Sequence, residues 1–233
     1  MCGNEWMITY DMRDINQIVL SLRRKAIGLG FAGTITAIVR ARQDRRERKG
    51  ADAKNVNRLE ILKHFIAPHG TGAEIGVHKG YFSKMLVDRL EPEKLYLIDP
   101  WYLSGKQWSW GEGNRSTVAA LCRVLRSMED RLVSGQVVVV IEDDLKALPA
   151  MPDGHFDWVY LDTSHGYEHT TKELEILQKK VKPGGVIAGD DWQPNPAHRH
   201  HGVCKAVREL IDREKHTVLC ADEKSSQWAI RLK

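Results

Sequence analysis

Cysteine is scarce in this 233-residue chain: Cys2, Cys122, Cys204 and Cys220 stand far apart, with no CxxC spacing. That excludes a disulfide framework and a structural zinc knuckle, and fits a reducing, cytoplasmic setting. Long apolar runs are missing too. The most apolar early stretch, Ile27 to Val39, spans 13 residues, short of the about 20 needed to cross a membrane. It also begins too far in for an ordinary secretory signal. Neither the dinucleotide fingerprint GxGxxG nor the phosphate loop GxxxxGK[ST] occurs, which argues against the usual nucleotide folds built on them.

What is present is ordinary for a globular protein: 42% apolar and 28% charged residues. This excludes wholesale disorder and suits one domain with a sizeable core, or one domain plus an appendage. The net charge of +4 is unevenly spread. Residues 1–55 hold 11 Lys/Arg against 6 Asp/Glu, and the rest hold 24 against 25. A neutral body argues against wrapping nucleic acid. We therefore divide the chain into a basic helical N-terminal arm, residues 1–55, and a main domain, residues 56–233. In the arm, Ile15, Ile18, Val19 and Leu22 fall at helical spacing, with Arg23, Arg24 and Lys25 in the last turn. Gly28, Gly30 and Gly33 interrupt the apolar stretch that follows. The arm reads as a buried helix with a solvated, charged continuation; contact with an anionic membrane surface is the lesser alternative.

From Val56 onward, helical and strand-like segments alternate. Leu59, Leu62 and Ile66 make one face of a helix closed by Pro68 and Gly70. Strands are predicted at 73–77, 95–98, 137–141, 156–161 and 186–188, with two more at 217–220 and 227–232. Helices are predicted at 81–90, 116–132, 167–181 and 203–213. Such alternation implies an α/β, doubly wound, mostly parallel sheet covered on both faces, whose ligands bind at the carboxyl ends of the strands.

Those ends are acidic. The first strand runs into Glu74-Ile75-Gly76-Val77-His78-Lys79-Gly80, where Gly76 and Gly80 allow a close backbone turn before a helix. His78 stands where the second Gly of a dinucleotide fingerprint would be. Asp99 ends the second strand, placed to accept ribose hydroxyls. Glu142-Asp143-Asp144 ends the third, where a carboxylate can take an adenine amino group. Asp162 ends the fourth and Asp190-Asp191 the fifth. Three carboxylates gathered without a cation would repel one another, so a hard divalent ion, Mg²⁺, Mn²⁺ or Ca²⁺, is expected there rather than zinc. His165, beside them, suits proton transfer. His198, His200 and His201 have no Cys or acidic partner at ligand spacing, and read as a polar loop over the mouth of the site.

The segments AEIGVHKG, LYLIDPW and FDWVYLDTSHGYEHTTKELEILQKKVKPGGVIAGDDW resemble the class I S-adenosylmethionine-dependent methyltransferases. More narrowly they resemble the macrocin O-methyltransferase-like group of metal-dependent sugar O-methyltransferases, over residues 57–233. The resemblance implies a Rossmann-like seven-stranded sheet with the last strand antiparallel. It implies cofactor contacts from Glu74, Gly76, Gly80, Asp99 and Asp143 (with Asp144 the adjacent alternative), and Mg²⁺ or Mn²⁺ held by Asp162, Asp190 and Asp191. His165 is then the catalytic base, with Asp162 sharing the catalytic role. His78 departs from the small or aromatic residue common in that loop, and the arm has no counterpart. Trp101, Trp108, Trp110 and Trp192 are expected to wall the acceptor pocket. The expected reaction is methyl transfer from S-adenosylmethionine to a hydroxyl of a sugar or glycosylated small molecule, by a homo-oligomer that binds no nucleic acid. A catechol-type acceptor is the runner-up. A NAD-binding oxidoreductase, a nucleic-acid methyltransferase reading Asp99-Pro100-Trp101-Tyr102 as its box, and a lipid-binding module are the rivals. They lack, respectively, the glycine fingerprint, the right strand for the box, and a use for the strand-end acids.

Overall fold

A computed structural model of the chain describes residues 53–66, 68–103 and 114–233, together with Arg42 and Arg45. The chain divides into two compact units, residues 1–51 and 52–233. The arm helix expected over residues 12–27 and the apolar stretch after it lie outside the described residues, as do Trp108 and Trp110. Lys54, assigned from sequence to the arm, belongs to the second unit.

That unit alternates helices and strands. It runs α1 (residues 53–62), β1 (Thr71–Ile75), α2 (Tyr81–Leu90), β2 (Lys94–Ile98), α3 (Asn114–Ser127), α4 (Glu129–Val133) and β3 (Val137–Val140). It continues through α5 (Asp144–Ala150), β4 (Phe156–Leu161), α6 (Tyr167–Lys180), β5 (Val181–Gly189), α7 (His201–Glu214), β6 (Thr217–Asp222) and β7 (Gln227–Arg231). The seven strands form one sheet in the order β3-β2-β1-β4-β5-β7-β6. All pairs from β3 to β5 are parallel, and β7 runs antiparallel to both β5 and β6. The expected Rossmann-like, mostly parallel sheet is what the chain forms. The strand order reverses between β1 and β4, so the crevice for a ligand opens where the ends of β1, β4 and β5 meet.

Side-chain alternation divides the core between the two faces of the sheet. Trp158 and Tyr160 of β4, with Leu95, Leu97 and Val186, pack under Leu62, Phe82, Leu86 and Val124. Val159 and Leu161, with Ala73, Ile75 and Ile187, pack under Leu148, Leu174, Leu177 and Val207. Phe156 sides with Val159 instead of Trp158 because the β4–β5 register shifts between Phe156 and Trp158. Both faces are covered, which is why β4 and β5 read as nearly unbroken apolar runs.

Three details differ from the sequence reading. The single helix expected over 116–132 breaks at buried Met128 into α3 and α4. Helix α5 has no counterpart among the predicted helices; Asp143 caps it by accepting from the Leu145 N–H at 3.1 Å, and Pro149 sits within its last turn. Strand β5 starts at Val181, five residues before the strand expected at 186–188, so Lys182-Pro183-Gly184-Gly185 lies within it. Among the described residues no helix is long and apolar enough to cross a membrane.

Candidate active site

The loop after β1 is built around Asp99. Asp99 Oδ2 accepts from the N–H groups of Val77 and His78, each at 2.9 Å, and Oδ1 accepts from Trp101 N–H at 2.7 Å. Burial raises the Asp99 carboxyl, and these three backbone donors oppose the rise. The acid expected to bind ribose therefore also ties the glycine turn to the end of β2. His78 adopts a left-handed φ of 51°, a conformation usually left to Gly, and its carbonyl accepts from Trp101 Nε1 at 2.8 Å. Gly76 has φ 86°, and a Cβ there would lie 2.0 Å from the Asp162 carbonyl oxygen. Only Gly lets β1 and β4 end this close together. Gly80, with φ 69°, faces Val124 at 2.8 Å from its virtual Cβ, so its missing side chain makes room for α3. Glu74 is buried on β1, and burial raises its carboxyl to about 8, leaving it protonated at neutral pH.

At the end of β3 the two acids part company. Asp143 is the cap of α5. Asp144 is buried and pairs with His169 Nε2 at 2.7 Å, and Glu173 Oε1 lies 3.8 Å from the same nitrogen. Burial, followed by the neighbouring Asp144, pushes the Glu173 carboxyl well above its usual range.

Asp162, Asp190 and Asp191 meet at the ends of β4 and β5, as parallel neighbours should, with carboxylate oxygens within 4.8 Å of one another. Their oxygens already face protein side chains. The Arg58 guanidinium, reaching in from α1, donates Nη1 to Asp162 Oδ2 at 2.8 Å and Nη2 to Asp190 Oδ2. Lys54 Nζ reaches Asp190 Oδ2 at 2.6 Å, and Gln227 Nε2 donates to Asp190 Oδ1. Gln227 in turn accepts from the Tyr160 hydroxyl at 2.7 Å through its Oε1. Asp191 is held by imidazoles: His165 Nδ1 contacts its Oδ2, and His200 Nδ1 lies 2.9 Å from its Oδ1. The two rings stack at 4.6 Å between centroids. Burial alone would lower the His165 imidazole, but the hydrogen bond and charge of Asp191, then Asp162 and Asp190, raise it. Burial works against the Asp191 carboxylate, yet the same imidazoles hold it far below its usual range. His165 and Asp191 both have positive φ, 61° and 65°, local strain of the kind that clusters at functional sites.

Sequence reasoning misses four contributors, of which Gln227 carries no signal beyond its place in the last strand. Arg58 is not singled out in the sequence reading, although it lies four residues before Leu62, on the buried face, and is 6% exposed. Lys54 is one further turn back. His200 belongs to the His-rich loop read as a lid, and it reaches Asp191 itself. Conversely, Trp101 and Trp192 are 1% and 5% exposed and pack in the two halves of the core, so neither walls an acceptor pocket.

Residues 73–192, more than half of the chain, match the family described as a methyltransferase domain. No curated protein matches. Among solved structures, the chain resembles a putative caffeoyl-CoA O-methyltransferase from Staphylococcus aureus at a TM-score of 0.52 and 15% identity, covering 78% of this chain and 82% of that one. It resembles a putative S-adenosylmethionine-dependent methyltransferase from Methanococcus maripaludis at 0.51 and 15% identity, covering 78% and 86%. A putative rRNA methylase from Clostridium thermocellum gives 0.51 and 11% identity, over 75% and 93%. Identities this low establish the shared fold and nothing finer. With the sheet order, the glycine turn tied to Asp99 and the family match taken together, the chain belongs to the methyltransferase-domain family and carries the fold of S-adenosylmethionine-dependent methyltransferases.

Proposed function

We propose that this chain transfers the methyl group of S-adenosylmethionine to a hydroxyl oxygen of a sugar or glycosylated small molecule, with His165 as the base. One observation carries the chemistry: a half-buried imidazole held by the Asp191 carboxylate at the strand ends, where the cofactor turn at Gly76 touches Asp162. Donation from Nδ1 to Asp191 fixes the tautomer and leaves Nε2 to receive a proton. In the reaction the acceptor oxygen attacks the sulfonium methyl. The carbon–sulfur bond breaks toward sulfur to give S-adenosylhomocysteine, and the hydroxyl proton passes to His165 Nε2. Holding both reactants in line provides much of the acceleration.

A divalent ion on Asp162, Asp190 and Asp191 is the other expectation. The carboxylates are near enough to share one. As they stand, the donors do not fit it, because both oxygens of Asp190 and one of Asp162 already accept from protein N–H groups. No step is assigned to a metal. The sugar-type acceptor is supported by the likeness of the block from Asp162 to Asp191 to sugar O-methyltransferases, and the cytoplasmic setting by the scattered cysteines. Incubation with methyl-labelled cofactor and a panel of glycosides, catechols and amines tests the reading. Label on a glycoside hydroxyl is expected. Label confined to amines would refute it.

A further inference from the structure

The cations at the strand ends carry an inference that rests on the methyltransferase reading and goes beyond it. Asp162 and Asp190 bring two negative charges, and Arg58 and Lys54 bring two positive ones. Asp191 is contacted separately by His165 Nδ1. Asp162 and Asp190 therefore already have protein cations as partners. Lys54 is half exposed and contributes little. Arg58 is different: its side chain is 7% exposed, it bridges two carboxylates, and its guanidinium lies 5.7 Å from the ring centres of both Phe82 and Tyr160. A guanidinium stays charged at any pH the fold survives. Its planar fork suits two acceptors better than a lysine would. A divalent ion could take the same oxygens only by displacing the Arg58 and Gln227 donors from Asp162 and Asp190, which would also cost Arg58 its aromatic contacts.

We propose that Arg58 is the resident cation of the strand-end carboxylates, occupying the place that a divalent metal would otherwise take, so that cofactor binding and methyl transfer proceed without a metal ion. Arg58 is then a positioning residue: it bridges Asp162 and Asp190 and leaves His165 paired to Asp191 alone among the three. A merely structural arginine would stabilise α1 and nothing else. A resident cation, once removed, should leave an ion-binding site behind.

The test is calorimetric titration of the full chain with Mg²⁺, and of the chain with S-adenosylhomocysteine before and after EDTA. The parent should show no stoichiometric Mg²⁺ binding, and its affinity for S-adenosylhomocysteine should stay unchanged to within about twofold on chelation. Arg58→Gln frees the three carboxylates for a hard ion, so Mg²⁺ affinity should rise by about tenfold or more. The second change Asp162→Asn should cancel the gain. Stoichiometric Mg²⁺ binding by the parent, removed by Asp162→Asn, would overturn the proposal, and so would an Arg58→Gln protein that folds and gains no affinity. If Arg58→Gln does not fold, the parent and Asp162→Asn titrations decide alone. Failure of S-adenosylhomocysteine to bind at all would instead strike the methyltransferase reading, leaving the Mg²⁺ result to be read separately.

Discussion

At the scale of single residues, the site is a balance between burial and pairing. His165 can accept a proton only when neutral, and its carboxylate neighbours favour the charged form. Turnover should therefore rise with pH through a value above the ordinary imidazole range. Asp191→Asn removes the carboxylate that does most to keep His165 protonated, so the acid limb of the pH–rate profile should move to lower pH while the plateau falls. His165→Gln should remove that limb and lower turnover by about 10²–10⁴, the span for a lost general base, with S-adenosylhomocysteine binding retained. Stability moves the other way. The His165 contribution is fully present below its unfolded pKa of 6.5 and is lost as pH rises through its higher folded value. The Asp191 contribution is present above its unfolded 3.8 and is lost as pH falls through its depressed folded value. The pair thus stabilises the fold most between those two unfolded values, at more acid pH than turnover requires. Urea midpoints of the parent and Asp191→Asn, compared across that window and above it, check the sign. Asp99→Ala should weaken S-adenosylhomocysteine by about 1.5–3 kcal/mol, because it removes charge-assisted bonds that shape the turn; an unchanged dissociation constant would show that the turn holds without them.

Elements explain why these residues meet. Gly76 ends β1 against the carbonyl of Asp162, so Gly76→Ala combines a 2.0 Å clash with an unfavourable φ. It should destabilise the domain by about 1–3 kcal/mol, read from denaturant unfolding. Asp143→Ala removes the α5 cap, worth about 1 kcal/mol. A loss of cofactor affinity beyond that shared destabilisation would support the adenine contact expected of Asp143. The sheet is legible in the sequence because its code is local: β-branched and aromatic runs, Gly and Pro punctuation, and acids just past each strand. Elements with mixed signals are not. Helix α5 is short and contains Pro149, and α3 passes into α4 at Met128, a residue that any helix tolerates. The strand-end acids are legible by position. Their partners are not: Arg58, Lys54 and Gln227 come from segments far away in sequence that only the folded sheet brings together, and His200 comes from the loop after β5.

For the whole molecule, the basic excess and the candidate site fall in different parts of the chain. The basic excess lies before residue 56, while every group argued to touch cofactor or acceptor lies in the unit beginning at Asp52. A chain starting at Asp52 keeps Lys54 and Arg58 and should bind S-adenosylhomocysteine as the full chain does, whereas one starting at Leu59 loses both cations and should be less stable. The central claim is that the crevice at the ends of β1, β4 and β5 is a site for S-adenosylmethionine. Calorimetric titration of the full chain with S-adenosylhomocysteine, and in parallel with NAD, tests it most directly. Saturable binding of one S-adenosylhomocysteine per chain, with none of NAD, is the predicted result; saturable binding of NAD with none of S-adenosylhomocysteine would contradict it.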